Sequence, residues 1–187
     1  MSHHDPLLHS LTFSIRASGA EQLSPGITWL LTAAPDGGFS ASERAALAAF
    51  TALEAGEEAL AEALIARLDA PDPALASALR RHSVATGEEE GYGALPGQPR
   101  QASAAADDAA LSAAFGPRLA AAFGFVLNPT ADDTRLRAAG WDEAASLQLR
   151  AASAFLRDLW SALLSLRLAP AAPVAAAVPV SVSGGCV

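Results

Sequence analysis

The sequence predicts an all-α protein: one compact multi-helix domain over residues 39–168, an N-terminal extension over 1–38, and a flexible Pro/Ala-rich tail over 169–187. Three observations predict it. Within residues 142–168, Leu149, Ala152, Leu156, Leu159, Leu163 and Leu166 recur in steps of three and four, an apolar stripe on one helix face that Phe155 and Trp160 widen. Arg150, Arg157, Asp158, Ser161 and Ser165 fall away from it, so the stripe must be buried against other helices or another subunit. Hydrophobic residues make up 51% of the chain but aromatics only 6%, because much of the apolar content is alanine. Alanine has the highest helix propensity, loses no side-chain entropy on ordering, and lets helices approach closely. Helix start and stop signals, finally, recur along the chain.

Residues 1–10 read as a loose tail. Leu11, Phe13 and Ile15 alternate with Thr12, Ser14 and Arg16 in a strand-like period, and residues 27–31 form a second short apolar run after Pro25-Gly26. Both runs fit either short strands or loop anchors. Pro35-Asp36-Gly37-Gly38 signals a turn. Ser40 and Glu43 have capping-box spacing, in which the serine oxygen accepts from the third helical amide and the glutamate reaches back to the cap. The helix they open runs through Leu47, Phe50 and Leu53 and breaks at Gly56, since glycine costs about 1 kcal/mol in a helix interior. A second helix from Glu57 buries Leu60, Leu64, Ile65 and Leu68. Asp72 caps a third, with Pro73 at the first position, where no amide bond is lost. Arg80, Arg81 and His82 are expected in its last turn, complementing the helix dipole.

Residues 83–106, with Glu88-Glu89-Glu90 among glycines and prolines, read as a long exposed loop. Helical pattern returns at Asp107, bends or breaks at Gly116-Pro117, continues through Leu119, Phe123, Val126 and Leu127, and stops at Asn128-Pro129. Thr130 to Asp133 has cap spacing and opens a short helix through Leu136 that Gly140 terminates in a left-handed conformation. Asp142 caps the long final helix.

The formal charge is −8, and all twelve basic residues are arginine, which reads as the coding habit of a GC-rich bacterium. An acidic chain with no basic stripe argues against nucleic acid. No window holds the roughly 18 unbroken apolar residues of a membrane helix, and Pro170, Pro173 and Pro179 interrupt the nearest candidate, so no membrane partner is expected. The N-terminus lacks the basic start and apolar run of a signal peptide, and a single cysteine permits no internal disulfide; a cytoplasmic location is expected.

FSASERAALAAFTALEAGEEALAEALIARL (residues 39–68) resembles the first helix pair of the alkylhydroperoxidase D-like, or carboxymuconolactone decarboxylase, family. RLAAAFGFVLNPTADDTRLRAAGWDEAASLQLRAASAFLRDLWSALLSLRL (residues 118–168) resembles the closing half of its peroxidase-related branch: a helix, a proline turn, a short helix ending in Ala-Ala-Gly, and a long apolar helix. The resemblance implies an alkylhydroperoxidase D-like fold. Active members carry a Cys-x-x-Cys pair and a histidine on the second helix, with a glutamate upstream; one thiolate attacks, the other resolves, and the histidine and glutamate move protons. The corresponding region here, residues 54–63, has neither cysteine nor histidine. Thiol peroxidase chemistry is therefore not expected, no cofactor is implied, and no family catalytic residue carries over.

Candidate sites remain. Glu43, Glu57 and Glu58 are carboxylates that could do acid–base work, and Glu58 and Glu62 share a helix side at i, i+4; the plain alternative is a solvated face. If Met1 is removed, the free amino group of Ser2, two backbone amides and the imidazole of His4 after His3 form a square-planar nitrogen set for Cu(II) or Ni(II), against the plain reading of a polar tail. A copper titration without a d–d band near neutral pH would remove that candidate. Cys186 could form a mixed disulfide, but a tail rarely holds precise geometry. Trp29, Trp141 and Trp160 read as core or interface anchors. Three functions follow: a non-catalytic or divergent peroxidase-related homologue, self-associating through the helix of residues 142–168; an acid–base enzyme of carboxymuconolactone decarboxylase type on a small organic acid; or an interaction module that docks a protein partner through residues 83–106 or the C-terminal tail.

Overall fold

The computed structural model describes residue 11 and residues 23–32, 38–89, 108–129 and 133–168. Among these there are seven α-helices and no strand: α1 (Ser24–Thr32), α2 (Ala41–Glu54), α3 (Glu58–Ala66), α4 (Pro73–Glu89), α5 (Asp108–Leu127), α6 (Asp133–Ala138) and α7 (Glu143–Leu168). The all-α expectation is met.

α2 is the centre of the molecule. All its residues from Arg44 to Leu53 are buried, and α1, α3, α4, α5 and α7 pack around it. A helix apolar on every side belongs in a core. Its alanines make that possible: Ala46, Ala48, Ala49 and Ala52 are completely enclosed, so neighbouring backbones come close without large side chains between them. The gaps are filled by aromatics. Phe50 stacks on Phe123 of α5 with ring centroids 4.1 Å apart, and Phe115 meets Phe123 edge-on at 5.0 Å.

The caps expected at Ser40, Asp72 and Asp142 are present, and the one expected at Thr130 lies outside the described residues. Ser40 and Glu43 form both hydrogen bonds of the capping box, at 3.2 and 2.8 Å. Asp72 accepts from the amide of Leu75 at 3.1 Å, and Asp142 from that of Ala145 at 2.7 Å. Gly56 and Gly140 have φ of 73° and 85°. Each closes a Schellman turn: Glu57 donates its amide to Ala52 and Gly56 to Leu53, while Trp141 donates to Leu136 and Gly140 to Arg137. Gly116, at φ 78°, kinks α5 before Pro117.

The stripe of α7 is buried within a single chain: Leu149, Ala152, Leu156 and Leu159 are at most 1% exposed, and Trp160 and Leu163 are partly covered. Phe155 packs so close to α1 that a Cβ at Gly26 would lie 2.4 Å from its ring.

Two expectations change. Residues 27–31 lie in α1 rather than in a strand or loop, with Ile27, Leu30 and Leu31 buried in i, i+3, i+4 sequence; Leu11 is also helical and buried. Five residues carry too few periods to separate the two patterns. The chain from Ser83 to Glu89, read as loop, continues α4, which places Arg80, Arg81 and His82 in mid-helix. One glycine, Gly87, costs only about 1 kcal/mol, which is too little by itself to end a helix. Arg80 bridges Glu62 at 2.8 Å and Asp69 at 2.7 Å, and His82 stacks on Phe50 at 5.3 Å. Phe13, Ile15, residues 90–107 and the tail from 169 onward lie outside the described residues.

By length and mean hydropathy Ala109–Leu127 is the one described helix long and apolar enough to cross a membrane. At its centre, however, Arg118 is ion-paired with Glu43 at 2.6 Å, and Ala120, Ala121, Ala122 and Phe123 are packed in the core. These features make it a core helix.

Candidate functional site

The three carboxylates singled out from sequence do not meet. Glu43 opens α2, where one oxygen completes the capping box and the other accepts from Arg118 Nε at 2.6 Å. Both of its oxygens thus have structural work. Glu57 and Glu58 stand past the other end of α2, which at 1.5 Å per residue is about 20 Å away. Each already has an interaction partner, and Glu62 is held by Arg80. Ser2, His3, His4 and Cys186 lie outside the described residues; among the described ones no three metal-ligating side chains cluster.

The turn after α2 does border a concave feature. A groove of about 260 Å³ is open between the ends of α2 and α5 and the middle of α7. Thr51, Glu54 and Ala55 form one wall and Val126 and Leu127 the second. Ser153, Leu156, Arg157 and Trp160 form the third. These positions are one helical turn apart on α7, so the same spacing that buries Leu156 brings Ser153, Arg157 and Trp160 to the groove.

Its polar groups differ in how they are held. The hydroxyls of Thr51 and Ser153 donate to carbonyls of their own helices, Ala48 at 3.0 Å and Leu149 at 2.8 Å, which leaves their lone pairs toward other partners. Glu54 faces His82 of α4, with Oε1 3.5 Å from Nε2. That imidazole is fixed between the face of Phe50 and the edge of Phe115. Arg157 forms neither a hydrogen bond nor an ion pair with any described residue, and Glu54 does not pair with it across the groove. The indole N–H of Trp160 is buried without an acceptor among the described residues. α2 and α5 both end here, so their C-terminal dipoles add partial negative charge beside Glu54.

The arrangement is a mostly apolar trough with one carboxylate and one guanidinium on different walls. It lacks a nucleophile held by a base. Sequence reasoning missed Glu54 and His82 as a pair because 28 positions and a helix boundary separate them, and it placed Arg157 off the apolar stripe of the last helix. The only signal for Arg157 was its place beside Leu156 and one turn before Trp160.

No protein-family model matches the chain, and no curated protein or solved structure matches it either.

Proposed function

We propose that this chain is an alkylhydroperoxidase D-like helical protein that binds a small molecule and has no thiol peroxidase activity. The observation that carries the reading is the stretch of residues 54–63, the turn after α2 and the first half of α3. Where the resembling family keeps its cysteine pair, this chain has a Schellman turn whose Glu54 and Ala55 border an apolar groove. A trough lined by apolar side chains with a few polar groups is the usual form of a ligand site. The test pairs two assays on the full chain. Peroxide reduction should stay at background with dithiol reductants, and a library of small amphipathic molecules should yield saturable binders that Ala55→Phe, which fills the groove, abolishes. Robust peroxide turnover lost in Cys186→Ser would overturn the reading.

A second reading, acid–base catalysis on a small organic acid, draws support from one contact. Glu54, on the groove wall, has His82 Nε2 3.5 Å behind it, a carboxylate beside an imidazole. Turnover that fails in both Glu54→Gln and His82→Gln, with binding retained, would favour it.

Self-association through residues 142–168 is a separate proposal. The stripe of α7 is already covered within one chain from Leu149 to Leu159 and partly covered at Leu163, leaving Leu147, 68% exposed, for a second copy. Light scattering that reports a monomer removes it.

A further inference from the structure

We infer that the groove between α2, α5 and α7 takes a small zwitterion with an apolar body, of the kind an apolar amino acid presents; this rests on the binding function proposed above. Two opposite charges, Glu54 and Arg157, line the same trough without pairing to each other. Between them the lining is Val126, Leu127, Leu156 and the ring of Trp160. Glu54 has only the longer contact with His82 at 3.5 Å, and Arg157 has no bond to a described residue, so a purely apolar or singly charged ligand would use at most one of the two charges. A ligand carrying an ammonium and a carboxylate satisfies both.

The field separates the two ends. Glu54 stands at the C-terminus of α2, and the C-terminus of α5 lies on the adjoining wall, so this end of the trough is negative and suits the ammonium. Arg157, with no bond to a described residue, can present its planar fork to the carboxylate. His82 braces Glu54 from the far side, held by Phe50 and Phe115. Size agrees. A 150 Å³ cavity admits benzene, so about 260 Å³ admits roughly ten heavy atoms, enough for the apolar body of phenylalanine, with its charged groups at the open rim.

The experiment is calorimetric titration of the full-length protein with four probes of one shape: phenylalanine, 3-phenylpropionate, phenethylamine and 2-phenylethanol. Phenylalanine should bind at one site at least tenfold more tightly than any of the other three. Glu54→Gln should bring phenylalanine down to 3-phenylpropionate, and Arg157→Gln should bring it down to phenethylamine, each with an unchanged helical circular dichroism spectrum. Equal affinity for all four probes would overturn the zwitterion while leaving a binding groove in place. Tighter binding of 3-phenylpropionate or of phenethylamine than of phenylalanine would overturn it in favour of a single charge. Failure of all four, together with failure of the wider library, would remove the binding function itself.

Discussion

Arg118 and Trp141 clasp each other in both directions. The guanidinium lies 4.3 Å from the centroid of the indole ring, and the indole N–H donates to the backbone carbonyl of Arg118 at 2.9 Å. The same guanidinium donates to Glu43, to the carbonyl of Gly140 at 2.5 Å and to that of Gly38. One side chain on α5 thereby ties the start of α2 to the turn before α7. Arg118→Met should lower unfolding stability by about 2–3 kcal/mol, the scale of a few charge-assisted hydrogen bonds at a partly exposed site. Chemical denaturation of Arg118→Met, Glu43→Gln and the double variant should show non-additivity, whereas strictly additive losses would mean the two residues act separately.

Gly26 is present because Phe155 leaves no room for a methyl group. A Cβ there would lie 2.4 and 2.5 Å from two ring carbons. Gly26→Ala should therefore destabilise by about 1–3 kcal/mol despite the better helix propensity of alanine. Shortening the partner in Gly26→Ala/Phe155→Leu should recover part of that loss. A Gly26→Ala protein with a raised melting temperature would show that α1 and α7 are not this close.

Arg44 is a charged side chain at 1% exposure, donating to the carbonyl of Phe39 at 2.8 Å and lying 5.4 Å from the ring of Trp29. Burial pushes its guanidinium below the ordinary value, and adjacent Glu43 opposes that shift. A buried ion contributes little beyond its volume when replaced by an apolar group of similar length. Arg44→Met should cost less than about 1.5 kcal/mol, and Arg44→Ala about 3 kcal/mol through the cavity it leaves. Equal losses in thermal melts would show that charge rather than volume matters here.

The Arg80 network carries the pH dependence. Hydrogen bonds from Arg80 hold the Asp69 carboxyl below its usual range, against an opposing cost of desolvation and with a lesser contribution from the arginine's charge. A carboxyl lowered in the folded state stabilises above its unfolded value and loses that contribution as pH falls through the folded one. Arg80→Gln should therefore lower the urea midpoint at pH 7 and converge with the wild type in strong acid. A gap that widened with acidification would contradict the assignment.

Much of the fold could be read from local chemistry. Ser40, Asp72 and Asp142 cap where their hydroxyl or carboxylate can reach an orphan amide, and Gly38, Gly56, Gly116 and Gly140 mark places where φ turns positive. The stripe of α7 was equally plain, because six periodic positions leave little ambiguity. Where tertiary contact decided the outcome, the pattern failed. Residues 27–31 are too few to show a period, and Arg80 and His82 are tied to Phe50, Glu62 and Asp69, partners that sequence spacing does not reveal. The groove was invisible for the same reason: Glu54, Val126 and Arg157 meet only once three helices have packed.

The most direct test of the binding account uses Trp160 as its own reporter, since only one of the three described indoles lines the groove. Phenylalanine titrated into the 15N-labelled full chain should shift the Trp160 indole resonance to saturation and leave that of Trp141, bonded to Arg118, in place. A Trp160 resonance unmoved at saturating ligand, or shifts confined to other parts of the chain, would contradict it.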